Sequence, residues 1–138
     1  MIIDATDIIL GRLAAFAAKK SLLGNKVDII NCERSVISGK KATILARYKK
    51  RSERGTPSTG PFIKRKPADL VKRSIRDMLP YKTSRGRDAF KNIKAHAGMP
   101  DVFKDKKLTT FEGAHKSKMK NVKYITINDV SAFLGGNP

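Results

Sequence analysis

The sequence predicts an α/β layered domain built on a mainly parallel sheet. Three observations carry that expectation. Four short runs that read as strands, "MIIDA", "VDIINCE", "NIKAHAG" and "KYITI", alternate with segments of helical periodicity, the pattern of a sheet covered by helices. The first two runs flank a helix, and strand–helix–strand in that order implies a parallel, right-handed crossover. Finally, 138 residues of which 40% are hydrophobic suit one domain, residues 1–138, with enough apolar side chain to bury a core.

"MIIDA" is short, apolar and β-branched, as a buried strand is. Thr6 and Asp7 are N-cap candidates for the helix "ILGRLAAFAAKKSLL". Leu10, Leu13, Ala14, Ala17 and Leu22 fall on or near one face of it, and Arg12, Lys19 and Lys20 are its few charges. So little polar surface implies a helix packed largely against the sheet, and Gly24-Asn25 ends it. "SGKKATILARYKK" opens with a Ser-Gly turn and continues as a basic helix with Ile44, Leu45 and Tyr48 as its apolar contacts. A strap rich in Gly, Pro and Ser follows. Pro67 suits a first helical position, "ADLVKRSIRDML" sets Val71, Ile75, Met78 and Leu79 at helical spacing, and Pro80 stops that helix. Thr83 or Ser84 can cap a short helix, "RGRDAFKN". Asn128 can cap a closing one, "DVSAFLG". Residues 99–121 are polar, lysine-rich and expected to be irregular. They and residues 48–67 read as basic excursions from the single domain.

The net charge is +18. That much self-repulsion works against a compact state unless a polyanion neutralises it. Nucleic acid is the first partner class, and an anionic membrane surface the second. The excess is localised: residues 40–66 carry ten basic side chains against Glu53 alone, a net +9, half the total in about a fifth of the chain. A merely solvated charged face would interleave both signs. The apolar run "LAAFAA" is far shorter than the roughly 20 residues that span a bilayer. No basic residue precedes the apolar start, so no secretory signal is expected. A single cysteine, Cys32, excludes an internal disulfide and fits a reducing cytosol.

Catalytic and cofactor signals are weak. "DATDIILGRLA" places one glycine, Gly11, at a strand–helix turn, but neither a Gly-x-Gly-x-x-Gly nor a Walker pattern surrounds it. Close helix packing at Gly11 is the plainer expectation. His96, His115 and Cys32 lack metal-ligand spacing, and Cys32 in an apolar strand reads as core. A Ser-His-Asp set can be assembled on paper in any chain of this size. No cofactor, metal, small-molecule substrate or enzymatic activity is therefore expected.

The motifs "DAT…LGRLA" (4–14), "IINCE" (29–33), "SGKK" (38–41), "GPFIKRKP" (60–67) and "MLPYKTSRGRDAFKNIKAHAGMP" (78–100) resemble large-subunit ribosomal protein thirteen. The likeness runs through the whole chain in order. The block from Met78 to Ala89 is its most specific part, whereas "LGRLA" alone carries little. The "GPF" strap and the short N-terminus resemble the archaeal and eukaryotic branch. Two positions depart from the family pattern: Asp77 stands where the family has glycine, and Ile63 where its branch often has histidine. The resemblance implies a three-layer α/β/α core with a four-stranded parallel sheet. It also implies early assembly into the cytoplasmic large ribosomal subunit, with large-subunit ribosomal RNA and neighbouring ribosomal proteins as partners.

Residues and resemblance converge on a structural RNA-binding protein without catalysis. The residues expected to meet RNA are Lys40, Lys41, Arg47, Lys49, Lys50, Arg51, Arg54, Lys64, Arg65 and Lys66, then Lys82, Arg85 and Arg87. Tyr48, Phe62 and Tyr81 either stack on unpaired bases or pack beneath the strap. Two other classes remain: a free RNA-binding regulator of messenger RNA, distinguished by sedimentation away from ribosomes, and a small nucleotide-using enzyme, distinguished by salt-insensitive mononucleotide binding at Gly11.

Overall fold

Three strands pair in parallel at the centre of the computed structural model, which describes residues 1–136. They are β1 (Ile2–Asp4), β2 (Val27–Ile30) and β4 (Ile93–Ala95), in the order β1-β2-β4. The register sets Ile3 opposite Ile29 and Val27 opposite Ile93. Val27, Ile29 and Ile30 of the middle strand are fully buried, as expected of a strand covered on both faces. The α/β core thus has the expected class, but its strands are divided differently. The run "KYITI" yields β5 (Tyr124–Thr126), which leaves the parallel sheet and pairs antiparallel with β3 (Val36–Ser38). In place of a fourth parallel strand, Thr109 alone bridges Ile3, its amide donating to the Ile2 carbonyl at 2.8 Å.

α1 (Leu10–Leu22) joins β1 to β2 and buries Leu13, Ala14 and Ala17 completely. Small alanines on that face let α3 (Pro67–Asp77) and α4 (Ser84–Lys91) pack against it. The Ser21 hydroxyl donates to the Ala89 carbonyl, tying α1 to α4. α1 starts later than its sequence suggested, with Ile9 as its N-cap and no side-chain cap. Thr6 instead donates its hydroxyl to the Asp4 carboxylate at 2.7 Å. Asp7 takes a left-handed backbone (φ 59°) and pairs with Lys116 at 2.9 Å. The extra residues bury Ile8 and let Ile9 bridge Val36. Gly11 faces open space, with nothing within 4 Å of where a Cβ would lie; close packing does not explain it.

α2 (Lys41–Ser52) presents Ile44, Leu45 and Tyr48 to the core, as its spacing predicts. In α3, Pro67 occupies the first turn, and Leu70, Val71, Ile75 and the following Leu79 are buried. Met78, expected in the core, is the C-cap of α3 and 44% exposed. α5 (Ile127–Phe133) packs on β5 and is capped by Thr126, whose hydroxyl accepts from the Asp129 amide at 3.2 Å, not by Asn128. Burying each large side chain of this core contributes about 1.5–3 kcal/mol, so the cluster outweighs any single cap of about 1 kcal/mol.

Residues 99–121 return to the core despite their lysines. Phe111 stacks on Phe16 with ring centroids 4.8 Å apart, Ala114 is fully buried, and Arg12 donates to the Gly113 carbonyl at 2.8 Å. Hence this segment, read from sequence as an excursion, helps close the fold.

Candidate nucleic-acid interface

All thirteen cations expected to meet RNA are exposed. Among the described residues only one of them, Lys49, reaches a carboxylate, that of Glu53 at 3.8 Å. An exposed pair of that kind is worth little. Nearly all of this charge therefore has no carboxylate partner among the described residues. Lys49, Lys50 and Arg51 fall in the last turn of α2, where cations suit the negative end of the helix dipole. So the first five residues of the sequence strap, 48–52, are helix, and the helix points its basic end outward.

Lys40, Arg47 and Arg51 line one groove of about 390 Å³ with Tyr48. Tyr48 belongs to the protein side of that groove: it is half-buried against the core, and burial pushes its phenol above the usual pKa despite the nearby Arg51, Arg47 and Arg73. Phe62 behaves oppositely. It is 73% exposed, so the strap carries its ring outward and does not pack over it. The strap is itself folded back, with Thr56 and Gly60 exchanging backbone hydrogen bonds of 3.3 and 2.9 Å. Its far end is anchored where the Ser131 hydroxyl donates to the Arg65 carbonyl at 2.7 Å. A hollow of about 590 Å³ lies inside the fold-back and includes Arg54, Arg65 and Phe62.

The turn before α4 is tightly built. Thr83 is the N-cap: its hydroxyl donates to the Pro80 carbonyl at 2.8 Å and accepts from the Gly86 amide at 3.2 Å. Gly86 is buried, whereas Lys82, Arg85 and Arg87 around it are exposed. The glycine lets the helix start press onto the Pro80–Tyr81 turn, and the two arginines project from either side of it. Tyr81 is 40% exposed with the Arg76 guanidinium 5.1 Å from its ring centre.

The structure also adds cations that strand-and-strap reading missed. Lys72, Arg73 and Arg76 of α3 share a groove of about 310 Å³ with Lys64, Phe62, Asp69 and Phe90. A signal for them was present: they occupy the face of "LVKRSIRD" opposite Leu70, Val71 and Ile75, as an amphipathic helix arranges its polar residues.

The ribosomal protein L13 family model matches residues 1–101. The large ribosomal subunit protein uL13 of Methanococcoides burtonii is 43% identical over 97% of this chain and 96% of its own length. That of Methanosarcina barkeri is 42% identical over the same shares, and that of Archaeoglobus fulgidus 39% identical over 97% and 86%. The chain belongs to the ribosomal protein L13 family.

The span matched by the L13 family model contains all thirteen exposed cations. The departure at Asp77 lies on the surface, where its carboxylate meets Arg76 at 3.4 Å; Ile63 lines the strap hollow beside Leu134. Cys32 and His96 of this L13-family chain serve its fold. Burial pushes the Cys32 thiol up to about 12, keeping it protonated at neutral pH. His96 holds Asp28 at 3.5 Å and leans on Phe103 at 5.5 Å between centroids. Among the described residues no three His, Cys, Asp or Glu side chains are grouped to hold a metal.

Proposed function

We propose that the chain is a structural constituent of the cytoplasmic large ribosomal subunit, binding large-subunit rRNA and joining the particle early in its assembly. The observation that carries this reading is similarity to large-subunit proteins across nearly the whole chain. The surface supplies the physical means. Thirteen exposed cations with a single carboxylate contact among them favour a polyanion, and phosphate neutralisation with counterion release drives such binding. No reaction is assigned to any residue.

The reading gives each region a task. The end of α2 and the strap neutralise phosphates, and the packed core holds them in register. At the start of α4, the amides of Ser84 and Arg85 have no hydrogen-bond partner among the described residues. Two guanidiniums beside a helix start favour a phosphate there, with Lys82 as an outer contact. Neighbouring ribosomal proteins would meet the surfaces that RNA leaves free.

Sedimentation of cell extract through sucrose tests this. The chain should travel with large subunits and their precursors, and stay with them in moderate salt. A chain found chiefly at the top of the gradient would sink the proposal.

A further inference from the structure

Phe62 has the highest exposure of the exposed aromatic rings, 73%, and it stands between two cationic hollows. On one side lies the strap hollow with Arg54 and Arg65; on the other lies the α3 groove with Lys64, Lys72 and Arg73. Its ring is held over Gly60, where a Cβ would come within 3.1 Å of Cε2. A side chain at position 60 would crowd that pose. Because Gly60 also has φ 82°, glycine serves both the backbone and the ring. Phe62 belongs to neither the core cluster nor the residues packed against it, so the ring is available to an outside partner.

The charges around the ring are free to act. Lys64, Lys72, Arg73 and Arg54 meet no carboxylate within 4.0 Å among the described residues, while Glu53 across the strap hollow is engaged by Lys49 at 3.8 Å. Asp69 is the one acid in the α3 groove. The Lys72 ammonium lies 5.1 Å from the Phe90 ring centre, which fixes its position over an aromatic face.

We propose that the Phe62 ridge is a stacking platform for one unpaired RNA nucleotide. The base lies on the ring, one flanking phosphate meets Lys64, Lys72 and Arg73, and the other meets Arg54. This rests on the RNA-binding reading above and adds to it the class of RNA recognised at this spot. A duplex offers phosphates but keeps its bases stacked inside, so it has no use for the ring. A single strand offers both at once. An acidic protein tail would satisfy the cations but would leave the ring without a flat partner.

Two experiments test it. In the first, Phe62→Trp gives the chain its only tryptophan, and fluorescence is followed on addition of single-stranded octaadenylate, an RNA duplex of equal phosphate content, or polyglutamate, at low salt. Quenching by the single strand, and much less by the duplex or polyglutamate, is expected. Phe62→Ala should weaken binding of the single strand about five- to tenfold, the lower part of the range for loss of one stacked base, without changing the salt slope. Lys72→Ala with Arg73→Ala should flatten that slope by up to about 0.7, the loss of one phosphate contact on a single strand. Equal quenching by duplex or polyglutamate, or a Phe62→Ala protein that binds within twofold of the parent, overturns the platform.

The second experiment places a benzophenone amino acid at position 62 in assembled large subunits and maps its photo-crosslinks. Crosslinking to an unpaired rRNA nucleotide is expected. Crosslinking only to paired RNA or to a neighbouring protein overturns the platform while leaving the chain a ribosomal constituent. A chain absent from the particles overturns the underlying reading as well. Circular dichroism melts of each variant guard the comparison, because Phe62 supports no core contact and its replacement should leave folding intact.

Discussion

Gly86 lies so close to Pro80 that a Cβ on it would sit 2.0 Å from the Pro80 carbonyl oxygen. Real Cβ atoms do not approach that near, and the obstacle is backbone, which cannot swing aside. Overpacking of this kind costs typically about 1–3 kcal/mol. Gly86→Ala should therefore lower the denaturation midpoint and, by pushing α4 off its turn, impair entry into the large subunit. A variant with unchanged midpoint would mean that the turn yields easily.

Arg85 and Arg87 flank that glycine in the first turn of α4, where cations oppose the helix dipole by about 0.3–1 kcal/mol each. Replacing both with Glu should leave the free protein equally or slightly more stable. Incorporation into large subunits should fall nonetheless. If the double variant melts several degrees lower yet incorporates normally once folded, the arginines serve the fold and no phosphate sits there.

The basic end of α2 sets a salt dependence. Neutralising Lys49, Lys50 and Arg51 together should flatten the slope of log affinity against log salt by about two to three units on large-subunit RNA fragments. This follows from about 0.7–0.9 per phosphate contact. Since the Lys49–Glu53 pair is exposed, its loss should cost the fold little. An unchanged slope would remove this helix end from the interface.

Proteolysis reports the order of the strap. Arg51 lies inside α2 but Arg54 lies beyond it, in an exposed run reaching to residue 59. Ordering such a segment costs roughly 1–2 kcal/mol per residue in backbone entropy, with little apolar burial to offset it. Trypsin should cut the free protein first at Arg54, and the ribosome-bound protein should resist. Equal protection in both states would show that the Thr56–Gly60 fold-back suffices to order the strap.

The Asp4 carboxylate supplies an acid-sensitive element. Burial acts to raise its pKa, but hydrogen bonds from Asn31 and Thr6, with Arg34 nearby, outweigh it and hold the carboxyl below its ordinary value. A depressed native pKa stabilises the fold above the unfolded value of about 3.9. That contribution is lost as pH falls through the lower native value. Denaturation midpoints measured from pH 6 down to pH 2 should show a shallower acid decline in Asp4→Asn than in the parent. Identical declines would assign the acid sensitivity to another carboxylate.

What the sequence determined by itself was local. Periodicity placed α1, α2 and α3, Pro67 and Pro80 bounded α3, and the cap of α4 was narrowed to Thr83 or Ser84, because each depends on residues within a turn or two of chain. The concentration of charge in residues 40–66 needed no fold to be seen. Tertiary structure decided the pairings. Val36 and Ile37 are only two β-branched residues between Ser35 and the Ser38-Gly39 turn, and they form a strand by pairing antiparallel with Tyr124–Thr126. The lysine-rich run after residue 99 joins the core through partners far away in sequence, Phe16 for Phe111, Ile3 for Thr109 and Arg12 for Gly113. Tyr48 and Phe62 are both aromatic residues among cations, yet one turns inward and the other outward. Burial is a property of what lies opposite a side chain, and only for Tyr48 does the fold bring a core surface there.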